Sequence, residues 1–221
     1  MTGEKAFVKE KIKHLKVKKY LKEELKRAGF SGTEIKRTPL GTRIIIHALR
    51  PGIVIGRGGE NIKTMTDVIK NEYGIDNPNI EVKQVEVPDL DAKVVSQKMV
   101  DFLERGYYFK KIVHRFLDQV MLAGARGVEF RINGKIPSDR AKSWIFKKGY
   151  IRHCGEVVKE GVDVGYAEAQ LKTGVVGVRV RIMPPDVKFP DEILLGNNID
   201  SIELTKKPEA VAAVAVVEEA K

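Results

Sequence analysis

Residues 51–65 read PGIVIGRGGENIKTM, with Gly56, Gly58 and Gly59 and one arginine, Arg57, set between two apolar segments of helical character. Glycine there costs conformational entropy, and the usual return is a backbone that can come close to something else. Three explanations compete: a nucleotide phosphate, a nucleic-acid backbone, or a tight turn alone.

The spacing argues against a nucleotide. A Walker A loop needs its glycine directly before Lys and Ser or Thr, whereas Lys63-Thr64 follows Ile62, four residues past Gly59. A dinucleotide fingerprint needs a third glycine where Asn61 stands, after a strand in a βαβ unit.

Working outward, Val17, Leu21, Leu25 and Ala28 share one helical face over residues 13–29, and Gly29 is placed to stop that helix. Residues 33–38 and 42–49 read as strands around Pro39-Leu40-Gly41, a hairpin signal. Pro51–Ile55 is a helical turn, and a second helix with Ile62, Met65 and Ile69 buried follows the glycines. Asn77-Pro78 marks a turn and residues 79–87 alternate as a third strand. The order α-β-β-α-α-β closes near Pro88.

A second unit begins at Leu90. Val95, Met99, Phe102 and Leu103 stripe one helix; Phe109, Ile112, Val113, Phe116, Leu117, Val120 and Met121 stripe another, which Gly124 ends. Residues 127–132 read as a strand, 138–143 as a short helix, 144–152 as extended, and 163–173 with 176–183 as a hairpin across Gly174. The fold class is therefore α+β twice over, the second unit with helix packed on antiparallel sheet. The division predicted is an N-terminal extension (1–12), a first domain (13–88), a second domain (89–185) and an extended or flexible C-terminal tail (186–221).

Charge narrows the partners. The 221-residue chain carries 40 Lys and Arg against 30 Asp and Glu, a net +10. Beyond Met183 eight acidic residues outnumber four basic ones, so residues 1–183 hold +14. A basic body with an acidic tail calls for a polyanion, nucleic acid before membrane. A single cysteine, Cys154, excludes an internal disulfide and a cysteine-based zinc site. His14, His47, His114 and His153 show no metal-ligand spacing. No stretch reaches the ~20 apolar residues that span a bilayer, and the N-terminus lacks the apolar core of a secretory signal. No metal or cofactor is expected, and the location expected is cytoplasmic.

Gly56-Arg57-Gly58-Gly59 is a GXXG turn between short helices, and in this element order it resembles the KH domain in its type-two topology. The resemblance implies that the loop clamps the sugar-phosphate backbone of about four nucleotides. The chemistry agrees: glycines admit a phosphate, helix N-terminal amides favour an anion, and Arg57 adds charge, with Lys63 one turn on.

The likeness extends beyond the loop. RPGIVIGRGGENI, then PDLDAKVVSQKMVDFLERGYYFKK, then YAEAQLKTGVVGVRVRIM occur in order, and over about residues 10–185 the chain resembles a family of KH-domain ribosomal proteins of the small-subunit head. AKSWIFKKGYIRHCGEVV is closer to the archaeal-eukaryotic form. The resemblance implies a non-catalytic structural component that binds rRNA in the head and helps form the channel through which mRNA enters. Implied partners are small-subunit rRNA, mRNA and neighbouring head proteins, without a membrane and without independent homo-oligomers. The family's basic cluster at that channel falls on Lys110, Lys111, His114 and Arg115. Bacterial members carry two arginines and a lysine where this chain has Lys110, Lys111 and His114; lysines keep the charge but lose the bidentate fork.

Residues 126–152 add Arg126, Arg131, Lys135, Arg140 and Lys142 as further RNA candidates, interleaved with Trp144, Phe146 and Tyr150. Trp144 and Phe146 alternate as core-facing strand residues do. His153-Cys154 is not a nucleophile with its base, since strand neighbours point to opposite faces; Cys154 reads as a packing residue. Asp89, Asp91 and Asp101 have no catalytic spacing. Two other readings stand beside the ribosomal one: a free-standing KH regulator of single-stranded RNA, and a lyase acting on damaged DNA through a lysine.

Overall fold

A computed structural model describes residues 3–38, 41–75, 77–187 and 189. Pro39 and Leu40 of the first hairpin turn, and the tail beyond Val187 apart from Phe189, lie outside the described residues.

The first helix, α1 (Gly3–Glu24), leads through a single 3-10 turn (Leu25–Ala28) into Gly29, whose left-handed backbone (φ 71°) ends it. Val17, Leu21, Leu25 and Ala28 are all buried, as their spacing predicts. The helix starts at Gly3 rather than near Lys13. Apolar periodicity reports only the part of a helix that packs on a core, and Phe7, Val8 and Ile12 are exposed.

Strands β1 (Phe30–Thr38) and β2 (Gly41–Ala48) pair antiparallel, and β3 (Pro78–Gln84) joins β2 in parallel, giving the order β1-β2-β3. A parallel pair requires a crossover connection. Here it is α2 (Pro51–Ile55), the glycine turn, and α3 (Glu60–Tyr73). The turn is thus suspended between two helices that are held by the strands they connect. Ile44, Ile46, Val54, Met65 and Ile69 fill the core beneath, each contributing about 1.5–3 kcal/mol by burial.

In the second half, α4 (Ala92–Glu104) and α5 (Phe109–Leu122) cover one face of a four-stranded antiparallel sheet. Its strands are β4 (Gly127–Gly134), β5 (Lys142–Gly149), β6 (Asp163–Leu171) and β7 (Gly174–Met183), in the order β5-β4-β7-β6. Val128, Phe130 and Ile132 of β4 and Val176, Val178, Val180 and Ile182 of β7 point at the helices and are buried. A one-turn helix, α6 (Val157–Glu160), precedes β6.

Two expectations are corrected. Residues 138–140 form bends rather than a helix, and β5 begins at Lys142. Pairing with β4 claims Lys142 and Ser143, and Trp144 Nε1–H donates to the Ile136 carbonyl at 3.1 Å across the turn. Cys154 is exposed, because β5 ends at Gly149 (φ 75°) and both His153 and Cys154 lie in the loop beyond it.

Candidate nucleic-acid interface

Gly56 (φ 73°), Gly58 (φ 61°) and Gly59 (φ 78°) all occupy the positive-φ region that side chains resist. Their surroundings differ. A Cβ on Gly56 would lie 2.6 Å from Asn61 Cγ, whereas Gly58 and Gly59 face open space. Asn61 is itself fixed, its Nδ2 donating to the Ile53 carbonyl at 3.1 Å, so it ties α2 to α3 below the loop. No side chain caps the first turn of α3. The Glu60 N–H donates to the Arg57 carbonyl of the preceding 3-10 turn, while the exposed Arg57 and Lys63 put positive charge around a turn that the backbone of a ligand can approach. Among the described residues neither Arg57 nor Lys63 forms an ion pair.

Helix α5 lies along β5 in a regular way. Lys110, His114 and Asp118, successive turns on one flank, meet Trp144, Phe146 and Lys148, alternate residues of the strand. The Lys110 ammonium is 5.2 Å from the Trp144 ring centre, the His114 ring meets Phe146 edge-on at 5.6 Å, and Asp118 accepts from Lys148 at 2.6 Å. Both aromatic rings are half-buried against the core, in line with the strand reading of their alternation. Arg115 lies over the Phe102 ring at 5.8 Å. Lys111 is exposed and, among the described residues, has no such partner. The four candidates on α5 therefore share one exposed helix surface, with three of them oriented by aromatic neighbours.

The five candidates of the 126–142 segment do not converge. Arg126, whose Nε–H donates to the Pro185 carbonyl at 3.1 Å, precedes β4 at one end of the sheet. Lys135, Arg140 and Lys142 are exposed at the other end, and Arg131 lies between, on the sheet face turned away from the helices. On that face the register sets Arg131 directly opposite Arg179, a residue the sequence reading passed over. The alternation of Val176, Val178 and Val180 with Arg179 and Arg181 signals a two-sided strand, but not which residue of β4 lies across from each arginine.

The three aspartates have structural tasks. Asp89 accepts from Lys98 (2.8 Å) and Gln119 (2.9 Å), Asp91 caps α4 through Lys93 N–H (2.9 Å) and Val94 N–H (3.3 Å), and Asp101 accepts from Gln97 (3.4 Å). Among the described residues no group of His, Cys, Asp and Glu side chains is arranged to hold a metal, and no helix is long and apolar enough to cross a membrane.

A glycine turn in a parallel crossover, followed by helices on an antiparallel sheet, defines a KH-domain protein with an appended α+β domain. A KH domain model matches residues 16–91, and a model of the ribosomal protein S3 C-terminal domain matches residues 99–182. Small ribosomal subunit protein uS3 of Methanocaldococcus jannaschii is 50% identical over 192 residues, 87% of this chain and 92% of that protein. The uS3 protein of Methanococcus aeolicus is 47% identical over the same shares, and that of Methanosphaera stadtmanae 43% over 95% of this chain and 81% of its own length. The chain belongs to the uS3 family, in its archaeal form.

Proposed function

We propose that this chain is a structural component of the small ribosomal subunit, without catalytic turnover, that binds rRNA in the subunit head and helps form the channel through which mRNA enters. Family membership supports the ribosomal role and a cytoplasmic, ribosomal location. The observation that carries the RNA reading is the glycine turn: three positive-φ glycines, a helix start with no side-chain cap, and exposed Arg57 and Lys63 that form no ion pair among the described residues. The Gly56–Gly59 backbone, Arg57 and Lys63 would hold sugar-phosphate, contacts that position a strand without reading its bases.

Lys110, Lys111, His114 and Arg115 would line the path of incoming mRNA. Arg126, Arg131, Lys135, Arg140 and Lys142, separated as they are, would make independent contacts to rRNA rather than one site. The partners in this reading are rRNA, mRNA and neighbouring head proteins, with residues 13–88 and 89–185 as the two RNA-binding domains, residues 1–12 as a leading extension and 186–221 as a tail.

The test is sucrose-gradient sedimentation of the host lysate before and after a wash at ~0.5 M salt, a level that strips proteins held by a few phosphate contacts. Retention with the small subunit is the expected outcome. Release to the top of the gradient would assign the chain to free-standing regulation of single-stranded RNA instead.

A further inference from the structure

The face of the second sheet turned away from α4 and α5 is covered at its Glu129–Arg181 end by His153 of the loop beyond β5, and the next row stands clear of that contact among the described residues. One row across it takes one residue from each strand: Ile145 of β5, Arg131 of β4, Arg179 of β7 and Tyr166 of β6, aligned by register. Ile145 is 50% exposed and Tyr166 is 61% exposed. Arg131 and Arg179 are therefore direct cross-strand neighbours of like charge, an arrangement that repels unless an anion lies between them.

Among the described residues no carboxylate does. Arg131 donates from Nε to the neutral hydroxyl of Ser143 at 3.3 Å. The Arg179 guanidinium lies over the Tyr166 ring at 5.3 Å, and its buried Nε–H has no acceptor among the described residues. Glu129, one row away, is already shared among Lys147 (3.2 Å), His153 (3.6 Å) and Arg181 (3.9 Å). Glu168, the acid of the row on the other side, stands opposite Gly177 and forms no ion pair among the described residues.

We propose that this open sheet face is a second RNA-binding surface, on which Arg131 and Arg179 grip the phosphate backbone of a single strand and Tyr166 stacks an unpaired base. The inference rests on the reading of the chain as an RNA-bound ribosomal protein and extends it to residues outside the glycine turn and α5. Guanidinium forks match phosphate oxygens two at a time, and a phosphate seated between them converts the repulsion into attraction. The ring beside Arg179 offers the flat apolar surface that an unstacked base needs. A protein partner would instead have to supply carboxylates at both positions.

The experiment measures binding of fluorescein-labelled dodecauridylate to the full chain by anisotropy across a salt series. Three variants are compared with the unaltered protein: Arg131→Met with Arg179→Met, Tyr166→Leu, and Lys110→Ala with Lys111→Ala. The paired arginine variant is expected to bind about tenfold more weakly, with the slope of log K against log salt shallower by about 1.4, at about 0.7 per lost contact on a single strand. Tyr166→Leu is expected to bind about fivefold more weakly or worse at an unchanged slope, since stacking involves no counterions.

Unchanged affinity and slope in the arginine variant, with loss in the Lys110 and Lys111 variant, would overturn this inference and leave the α5 reading standing. The reverse pattern would support it and sink the α5 reading. Unchanged RNA binding combined with loss of the arginine variant from the small subunit would give the face to a protein neighbour, and also overturns it. If the arginine variant does not fold, crosslinking of the unaltered chain to 4-thiouridine RNA decides: adducts at Tyr166 or Arg179 are expected, and adducts confined to residues 56–63 and 110–115 would refute the proposal.

Discussion

The ammonium of Lys110 rests 5.2 Å from the centre of the Trp144 ring, while Lys111, the next residue on α5, projects without a partner among the described residues. Adjacent lysines on one helix thus hold different positions: one is oriented by the strand beside it, the other is free in solvent.

Their alanine variants should separate accordingly. Lys111→Ala is expected to lower RNA affinity and flatten its salt dependence without moving the melting temperature. Lys110→Ala should do both, losing about 0.5–1 kcal/mol of cation–π attraction as well. Trp144 is the chain's single tryptophan, so its fluorescence reports the site directly. RNA binding should change that emission in the unaltered protein and change it less in Lys110→Ala.

Within the glycine turn, Gly56 and Gly58 should respond in opposite ways to substitution. Gly56→Ala drives a Cβ into Asn61 and disturbs the Asn61–Ile53 tie, for an expected cost of about 1–3 kcal/mol. Gly58→Asp meets open space, pays about 1 kcal/mol for its backbone, and sets a negative charge where phosphate would lie. Chemical denaturation should show the larger loss for Gly56→Ala, and RNA titration the larger loss for Gly58→Asp. Equal RNA affinity in Gly58→Asp and the unaltered chain would remove this loop from the interface.

The start of α4 is held by two carboxylates. Asp91 accepts from the N–H groups of Lys93 and Val94, and Asp163, from the start of β6, accepts from the Ala92 N–H at 2.8 Å. Asp91→Ala should cost about 1 kcal/mol, the usual loss for an N-cap, which is about 2–4 °C in Tm for a chain of this size. Asp163→Ala should cost as much or more, because it also unties β6 from the helix and leaves a part-buried donor without an acceptor. Calorimetry of both single variants and the double variant tests this; the two effects should not add, since both carboxylates serve one helix end.

His14, on α1, gives stability a pH dependence with a definite sign. Burial lowers its pKa from the ordinary 6.5; Glu10 opposes the shift, and Lys11, Lys18 and Arg37 reinforce it. The folded state therefore prefers the neutral ring. Its contribution is fully present above 6.5, the unfolded value, and is lost as pH falls through the lower folded value. Urea midpoints measured on either side of that window should fall with pH for the unaltered chain and fall less for His14→Gln. The side chain is only partly buried, so the difference will be small.

Much of this protein was legible in its sequence because the relevant signals are local. Helical spacing placed Val17, Leu21, Leu25 and Ala28 in one core and the α5 stripe in the other, and alternation put Trp144 and Phe146 against that second core. The glycine pattern located the turn between α2 and α3, since positive φ is a property of single residues. Failures came where a partner distant in sequence decides. Residues 3–12 join α1 without contributing to its buried stripe. The helix expected over 138–143 does not form, since pairing with β4 claims Lys142 and Ser143 for β5, and Cys154 is exposed because its strand has already ended. The pairing of Lys110 with Trp144 and of Arg131 with Arg179 needed tertiary structure. Sequence alternation assigns a residue to a face, but only strand register and helix packing determine which residue faces it there.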